Sequence, residues 1–158
     1  GAKFASGKWL VFLHADTHLP ADFELIISKT LSNSSFLWGW FGVSFDADGL
    51  SYSVIAKLMN VRARLTSVST GDQTLVVNRK FFREVKGFAD IPIMEDIELT
   101  SRLRRYAKPQ VISGFVTTSA RRWQKEGVLR TIVLMWSLRF LYFIGISPRK
   151  LVNYYYKA

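Results

Sequence analysis

The apolar positions of this chain fall into runs whose period changes from one segment to the next. Trp9-Leu10-Val11-Phe12-Leu13 is continuously apolar, as a strand buried on both faces requires, and it stops at the polar His14-Ala15-Asp16-Thr17. Phe23, Ile26, Ile27, Thr30 and Leu31 then recur at helical spacing, with Pro20 placed where a first helical turn tolerates proline and Ser32-Asn33-Ser34-Ser35 as a breaker. Residues 36–45 are aromatic and β-prone, and Asp46-Ala47-Asp48-Gly49 closes them with turn chemistry. Ser51 is positioned to cap a helix running to Leu65, with Arg64 at its basic end.

After Thr70-Gly71-Asp72-Gln73 the pattern predicts a short strand at 74–77, a short helix at 79–86 and Gly87 as its stop. Residues 95–106 form an amphipathic helix with acids in its first turn and Arg102, Arg104 and Arg105 toward its end. Residues 111–118 are a strand candidate weakened by Gly114. Ser119-Ala120-Arg121-Arg122-Trp123 reads as a basic loop, followed by a long apolar helix over 128–146 and a tail with Tyr154, Tyr155 and Tyr156. Alternating strands and helices without repeats or a linker predict one α/β domain over residues 1–158.

Composition narrows the chemistry. At 158 residues and 49% hydrophobic content, the chain can bury one substantial core. A net charge of +10 favours anionic partners: nucleotide phosphates, lipid headgroups or nucleic acid. Nucleic acid is the weakest of these, because the basic residues are not gathered in one helix or tail and the aromatics read as core. With no cysteine, a metal would need oxygen or imidazole ligands. Residues 1–7 are small and polar and 9–13 too short for the apolar part of a signal peptide. Arg130 and Arg139 interrupt the 128–146 stretch, and each would cost a few kcal/mol or more inside a bilayer. A helix lying on a membrane surface or packed on the domain lets them reach water.

Asp16, leaving a strand beside His14, is where a divalent cation binds in open α/β sheets, although an acid there can equally cap the next helix. Glu95 and Asp96 open a helix behind the apolar Ile91-Pro92-Ile93-Met94, so a carboxylate there is either a structural cap or a partly desolvated base. Arg121 and Arg122 beside Trp123 suit a pyrophosphate clamp or a solvated basic surface.

Four ordered motifs carry a resemblance: Phe12-Leu13-His14-Ala15-Asp16-Thr17 with Leu19-Pro20, then Thr70-Gly71-Asp72-Gln73, then Met94-Glu95-Asp96-Ile97-Glu98-Leu99, then Ser119-Ala120-Arg121-Arg122-Trp123. Together they resemble family 2 glycosyltransferases of the GT-A fold, in the small bacterial subgroup found with radical-SAM and selenium-associated genes. The resemblance implies a GT-A-like (Rossmann-like) mixed sheet flanked by helices, with a C-terminal apolar or amphipathic helix. It implies metal-assisted, inverting transfer of a sugar from a nucleotide diphosphate-sugar to a hydroxyl acceptor, lipid-linked alcohols included. Asp16 would hold Mn²⁺ or Mg²⁺, and Asp96, with Glu95 beside it, would be the base. His14, Arg121, Arg122 and Trp123 would face the donor diphosphate, and Gly71, Asp72 and Gln73 the acceptor. The implied location is the cytoplasm, peripheral at the inner face of the membrane.

The chain departs from the family's pattern at three places. Ala15-Asp16 replaces a two-aspartate form, with His14 at its first position, which implies weaker metal affinity. Ser119 stands where processive relatives carry glutamine, so single-sugar transfer is expected. Family members also carry a nucleotide-contacting strand and helix ahead of the segment that begins here, so an acceptor-side piece of a longer enzyme is implied. The competing reading is a non-catalytic module that holds an anionic membrane surface through its basic charge and apolar helix.

Overall fold

The computed structural model describes residues 1–157, with side chains described through Tyr155, so the side chain of Tyr156 lies outside the described residues. The elements are β1 (Trp9–Phe12), β2 (Thr17–His18), α1 (Phe23–Leu31), β3 (Trp38–Phe45), α2 (Leu50–Thr66), a 3-10 turn (Gly71–Gln73), β4 (Leu75–Asn78), α3 (Arg79–Glu84), α4 (Glu95–Leu103), β5 (Gln110–Thr118), α5 (Arg121–Glu126), α6 (Val128–Phe143) and α7 (Pro148–Lys157). The strands form one mixed sheet in the order β1-β4-β3-β5-β2. β4 is antiparallel to β1 and β3, β5 is parallel to β3, and β2 closes the far edge antiparallel to β5. The expected mixed sheet flanked by helices is present.

Alternation along the central strands sorts the core onto two faces. Trp38, Trp40, Leu75 and Val77 pack with Phe81, Phe82, Leu99 and Leu103 from α3 and α4. Phe41, Val43, Val76, Ile112 and Val116 face the other way, toward Phe23, Ile26 and Ile27 of α1. The strand buried on both faces is therefore β3, which has a neighbour on each side, and not β1 as the apolar run suggested. β1 lies at the edge; only Leu10 is buried, while Val11 is 40% and Leu13 45% exposed.

Gly114 did not end β5. The β3–β5 register passes from Phe41↔Ile112 to Gly42↔Phe115, and Gly114 at φ +120° sits in the resulting bulge. Three helix starts differ from expectation. α2 begins after Gly49, whose carbonyl accepts from Ser53 Oγ at 3.3 Å, so Ser51 lies within the first turn. Pro20 stands ahead of α1, in a turn closed by the Phe23 N–H donating to its carbonyl. Arg121 opens a helix rather than continuing a loop, because Asp46 Oδ1 accepts from the Ala120 N–H at 2.7 Å and anchors the turn before it. α4 stops at Leu103, where the Arg105 and Tyr106 amides fall back to three-residue bonds on Arg102 and Leu103.

The long apolar stretch is helical only to Phe143, where α6 ends ahead of Gly145 at φ +92°, and α7 follows beyond it from Pro148. Among the described residues no helix is long and apolar enough to cross a membrane. Leu129, Val133, Trp136, Phe140 and Phe143 of α6 are all more than half exposed, and their spacing puts them on one stripe of the helix.

Candidate functional site

The loops after β1, before β4, before α4 and after β5 open on one cavity of about 940 Å³, closed on its other side by α2 and α6. A second depression of about 630 Å³, between 65–67 and 104–109, is shallow and lined without a carboxylate, whereas the first holds His14, Asp16, Asp72, Glu95 and Asp96.

His14 and Asp16 hang from the end of β1, with Nδ1 and Oδ1 2.9 Å apart. The loop is held from behind, since the Ser119 N–H donates to the Asp16 carbonyl at 3.2 Å and Thr17 is buried against Thr118. Asp72 comes from the 3-10 turn, and one ligand atom each of His14, Asp16 and Asp72 lies within 4.8 Å of the others. Thr118 Oγ1 donates to Asp72 Oδ1 at 3.4 Å. Burial raises the Asp72 carboxyl above the usual range; His14 opposes this, and Asp96 and Asp16 add to it. Two carboxylates and an imidazole form a donor set that suits Mn²⁺. Asp72, assigned to the acceptor on resemblance, therefore also stands in the group that could hold a metal.

Asp96 sits at the first turn of α4, two residues after Met94, whose φ of +67° is uncommon outside glycine. Its two oxygens accept from the Gly71 and Ile97 N–H groups, each at 2.7 Å. The carboxylate is thus clamped by backbone donors, as in the capping role that the sequence offered beside a partly desolvated base. The Gly71 contact requires close approach: a Cβ at that residue would stand 3.1 Å from the His14 ring. Glu95 is exposed at the cavity rim.

Gln73 is fully buried and lies behind the cavity wall. Its Nε2 donates to Asn60 Oδ1 at 3.3 Å, its Oε1 accepts from the Thr70 N–H, and Asn60 exchanges two bonds with the Val43 backbone. Gln73 therefore positions the Gly71-Asp72 turn and does not reach an acceptor. On α5, Arg122 Nε donates to Glu126 Oε2 at 3.1 Å and its guanidinium covers the Tyr155 ring at 4.2 Å. Trp123 is edge-on to Phe45, and Arg121 is exposed at the rim.

No family model, curated protein or solved structure matches this chain. What the cavity can do rests on its own residues.

Two of them were not singled out from sequence as site residues: Arg62 of α2 and Arg139 of α6 both line the cavity. Arg139 was visible only as an interruption of an apolar stretch, and that interruption was the available signal.

The His14 imidazole is raised above its ordinary 6.5, chiefly by the hydrogen bond with Asp16 and against some burial, with the charges of Asp72, Asp16 and Asp96 assisting. A metal needs the unprotonated ring, so Mn²⁺ affinity should fall as pH drops through this raised value, as titration calorimetry across pH 5–8 would read. In the metal-free protein the sign reverses. The raised group contributes stability in full below its unfolded value, and that contribution is lost as pH rises through the folded one.

Proposed function

We propose that this chain forms the acceptor side of an inverting, metal-assisted glycosyltransferase of the GT-A type, using a nucleotide diphosphate-sugar as donor. One observation carries the reading: four motifs far apart in sequence, 14–16, 70–72, 94–96 and 119–123, converge on one cavity. The mixed sheet with these loops at one end is consistent with that fold.

In the proposed reaction, Asp96 accepts the proton of the acceptor hydroxyl through a lone pair left free by its backbone bonds. The acceptor oxygen attacks the anomeric carbon as the bond from that carbon to the diphosphate oxygen breaks, and configuration inverts. A divalent cation on His14, Asp16 and Asp72 would supply charge neutralisation for the departing diphosphate. Arg121 and Arg122 stand at the same cavity to add to it, and Trp123 offers an apolar wall for the donor.

Calorimetric titration with a panel of nucleoside diphosphates, in Mn²⁺ and in EDTA, tests the reading. Metal-dependent binding of one diphosphate is expected. Silence both from this chain and from a longer polypeptide containing it would overturn the proposal.

The α6 stripe favours a second property, peripheral attachment to an anionic membrane, which serves a lipid-linked acceptor and is also what a purely membrane-binding module would show. Val133→Ser with Phe140→Ser should weaken binding to phosphatidylglycerol vesicles about tenfold or more, by the apolar area withdrawn. Mn²⁺ binding should be unchanged, because neither residue lines the cavity. Vesicle binding without transfer from any nucleotide sugar would leave only the membrane module.

A further inference from the structure

Arg62 on α2 and Arg139 on α6 both line the cavity, close enough for the charge of one to act on the other, together with the apolar Met59, Ile132 and Met135. Both side chains are partly buried. Arg62 Nε is buried with no hydrogen-bond partner, and its Nη2 reaches only Gln73 Oε1, at 3.5 Å. Arg139 makes no hydrogen bond within the described residues, and no carboxylate there lies within ion-pair distance of either guanidinium.

Each arginine feels the cost. Burial first, and then the charge of Arg139, push the Arg62 guanidinium down to about 10. Burial likewise lowers Arg139, with Asp96 and Asp72 opposing. Two desolvated like charges without a paired anion are an arrangement that folding alone disfavours. The nearby carboxylates do not complete it, since Asp96 is clamped by two backbone amides and Asp72 stands with the metal ligands.

We propose that Arg62 and Arg139 together bind the phosphoryl group of a phosphorylated acceptor. A carboxylate would leave one cation without a partner, whereas a phosphate monoester brings nearly two charges and three acceptor oxygens to two guanidinium forks. The assignment to the acceptor rests on the transferase reading, in which the donor diphosphate lies toward Asp16 and α5. The phosphate site itself does not depend on it. The phosphoryl group belongs to either a soluble phosphate ester or a lipid headgroup, for which the exposed α6 stripe would leave room for the chain.

The test is calorimetry in EDTA with inorganic phosphate, on the parent protein, Arg62→Gln, Arg139→Gln, Arg139→Lys and the remote control Arg105→Gln. Phosphate affinity should fall about tenfold or more in both glutamine variants, fall less in Arg139→Lys and hold in the control. Thermal melts separate this from misfolding: without phosphate, Arg139→Gln should melt no lower than the parent, because it removes an unpaired, partly buried charge, and phosphate should raise the melting temperature of the parent and of Arg105→Gln but not of the two glutamine variants. Unchanged phosphate affinity in both glutamine variants, or no phosphate binding by the parent, overturns the proposal.

Binding of the Mn²⁺–nucleoside diphosphate is the second readout. If Arg62→Gln and Arg139→Gln retain it, the pair is separate from the donor site; if they lose it in parallel with phosphate, the pair belongs to the donor and the acceptor assignment is overturned. Phosphate binding by the parent, with no nucleoside diphosphate bound by it or by a longer polypeptide containing it, overturns the transferase reading instead. Phosphatidylcholine vesicles with and without phosphatidic acid distinguish the source: headgroup-dependent binding lost in Arg62→Gln assigns a lipid, and its absence beside phosphate binding assigns a soluble ester.

Discussion

Asp16→Asn is expected to weaken Mn²⁺ binding by at least about a hundredfold, and binding of the nucleoside diphosphate with it. Loss of a group that merely orients a ligand costs roughly ten- to a hundredfold in metal affinity, and Asp16 does more than orient. It offers its own oxygen to the cluster, and it holds His14 Nδ1 at 2.9 Å, so the substitution removes one charged ligand and loosens a second. The fold should tolerate the change: the Asp16 side chain is 40% exposed, and the anchor of its loop is the backbone bond from Ser119. His14→Ala should show a smaller loss, because both carboxylates remain. Calorimetry with Mn²⁺ alone reads both variants, and an Asp16→Asn protein of undiminished affinity would remove the metal centre from the proposal.

Asp96→Asn should lower turnover by about 10²- to 10⁴-fold, the usual contribution of a positioned base, while binding of the metal–diphosphate persists. The substitution has a structural side. Both Asp96 oxygens accept backbone N–H bonds, and an amide keeps one acceptor while turning a donor toward the other N–H. A loss of roughly 1–3 kcal/mol of stability accompanies that mismatch. Turnover measured well below the melting transition, with diphosphate affinity measured alongside, separates the two effects. If turnover falls only as far as the folded fraction, Asp96 is a positioning residue, and the half-buried Asp72, whose carboxyl is raised, becomes the next candidate for the base.

Much of the architecture was readable from periodicity. The helices at 23–31 and 79–84 and the strand at 38–45 lie close to where spacing placed them. The errors share a cause, which is that neighbours are invisible in a one-dimensional pattern. Trp9 to Leu13 looks like an interior strand, but only sheet order shows that β1 has a neighbour on one side. Gly114 signals a weak strand until the bulge opposite Gly42 gives it a place. At the site, the motif residues could be read as polar loops between elements, and the structure brings those loops together. That Gln73 faces inward onto Asn60 of α2, and that Arg62 and Arg139 line one cavity, depends on where α2 and α6 lie in the fold, which no local motif encodes.

The edge position of β1 also sets an order of events. Trp9 pairs with Asn78 and Phe12 with Leu75, so the loop carrying His14 and Asp16 reaches Asp72 only after a long span of chain has closed. Such non-local pairings form late and slowly. A cation that recognises the completed cluster would find nothing to hold in the early folding chain. It would act by prolonging the lifetime of the native state rather than by hastening its formation.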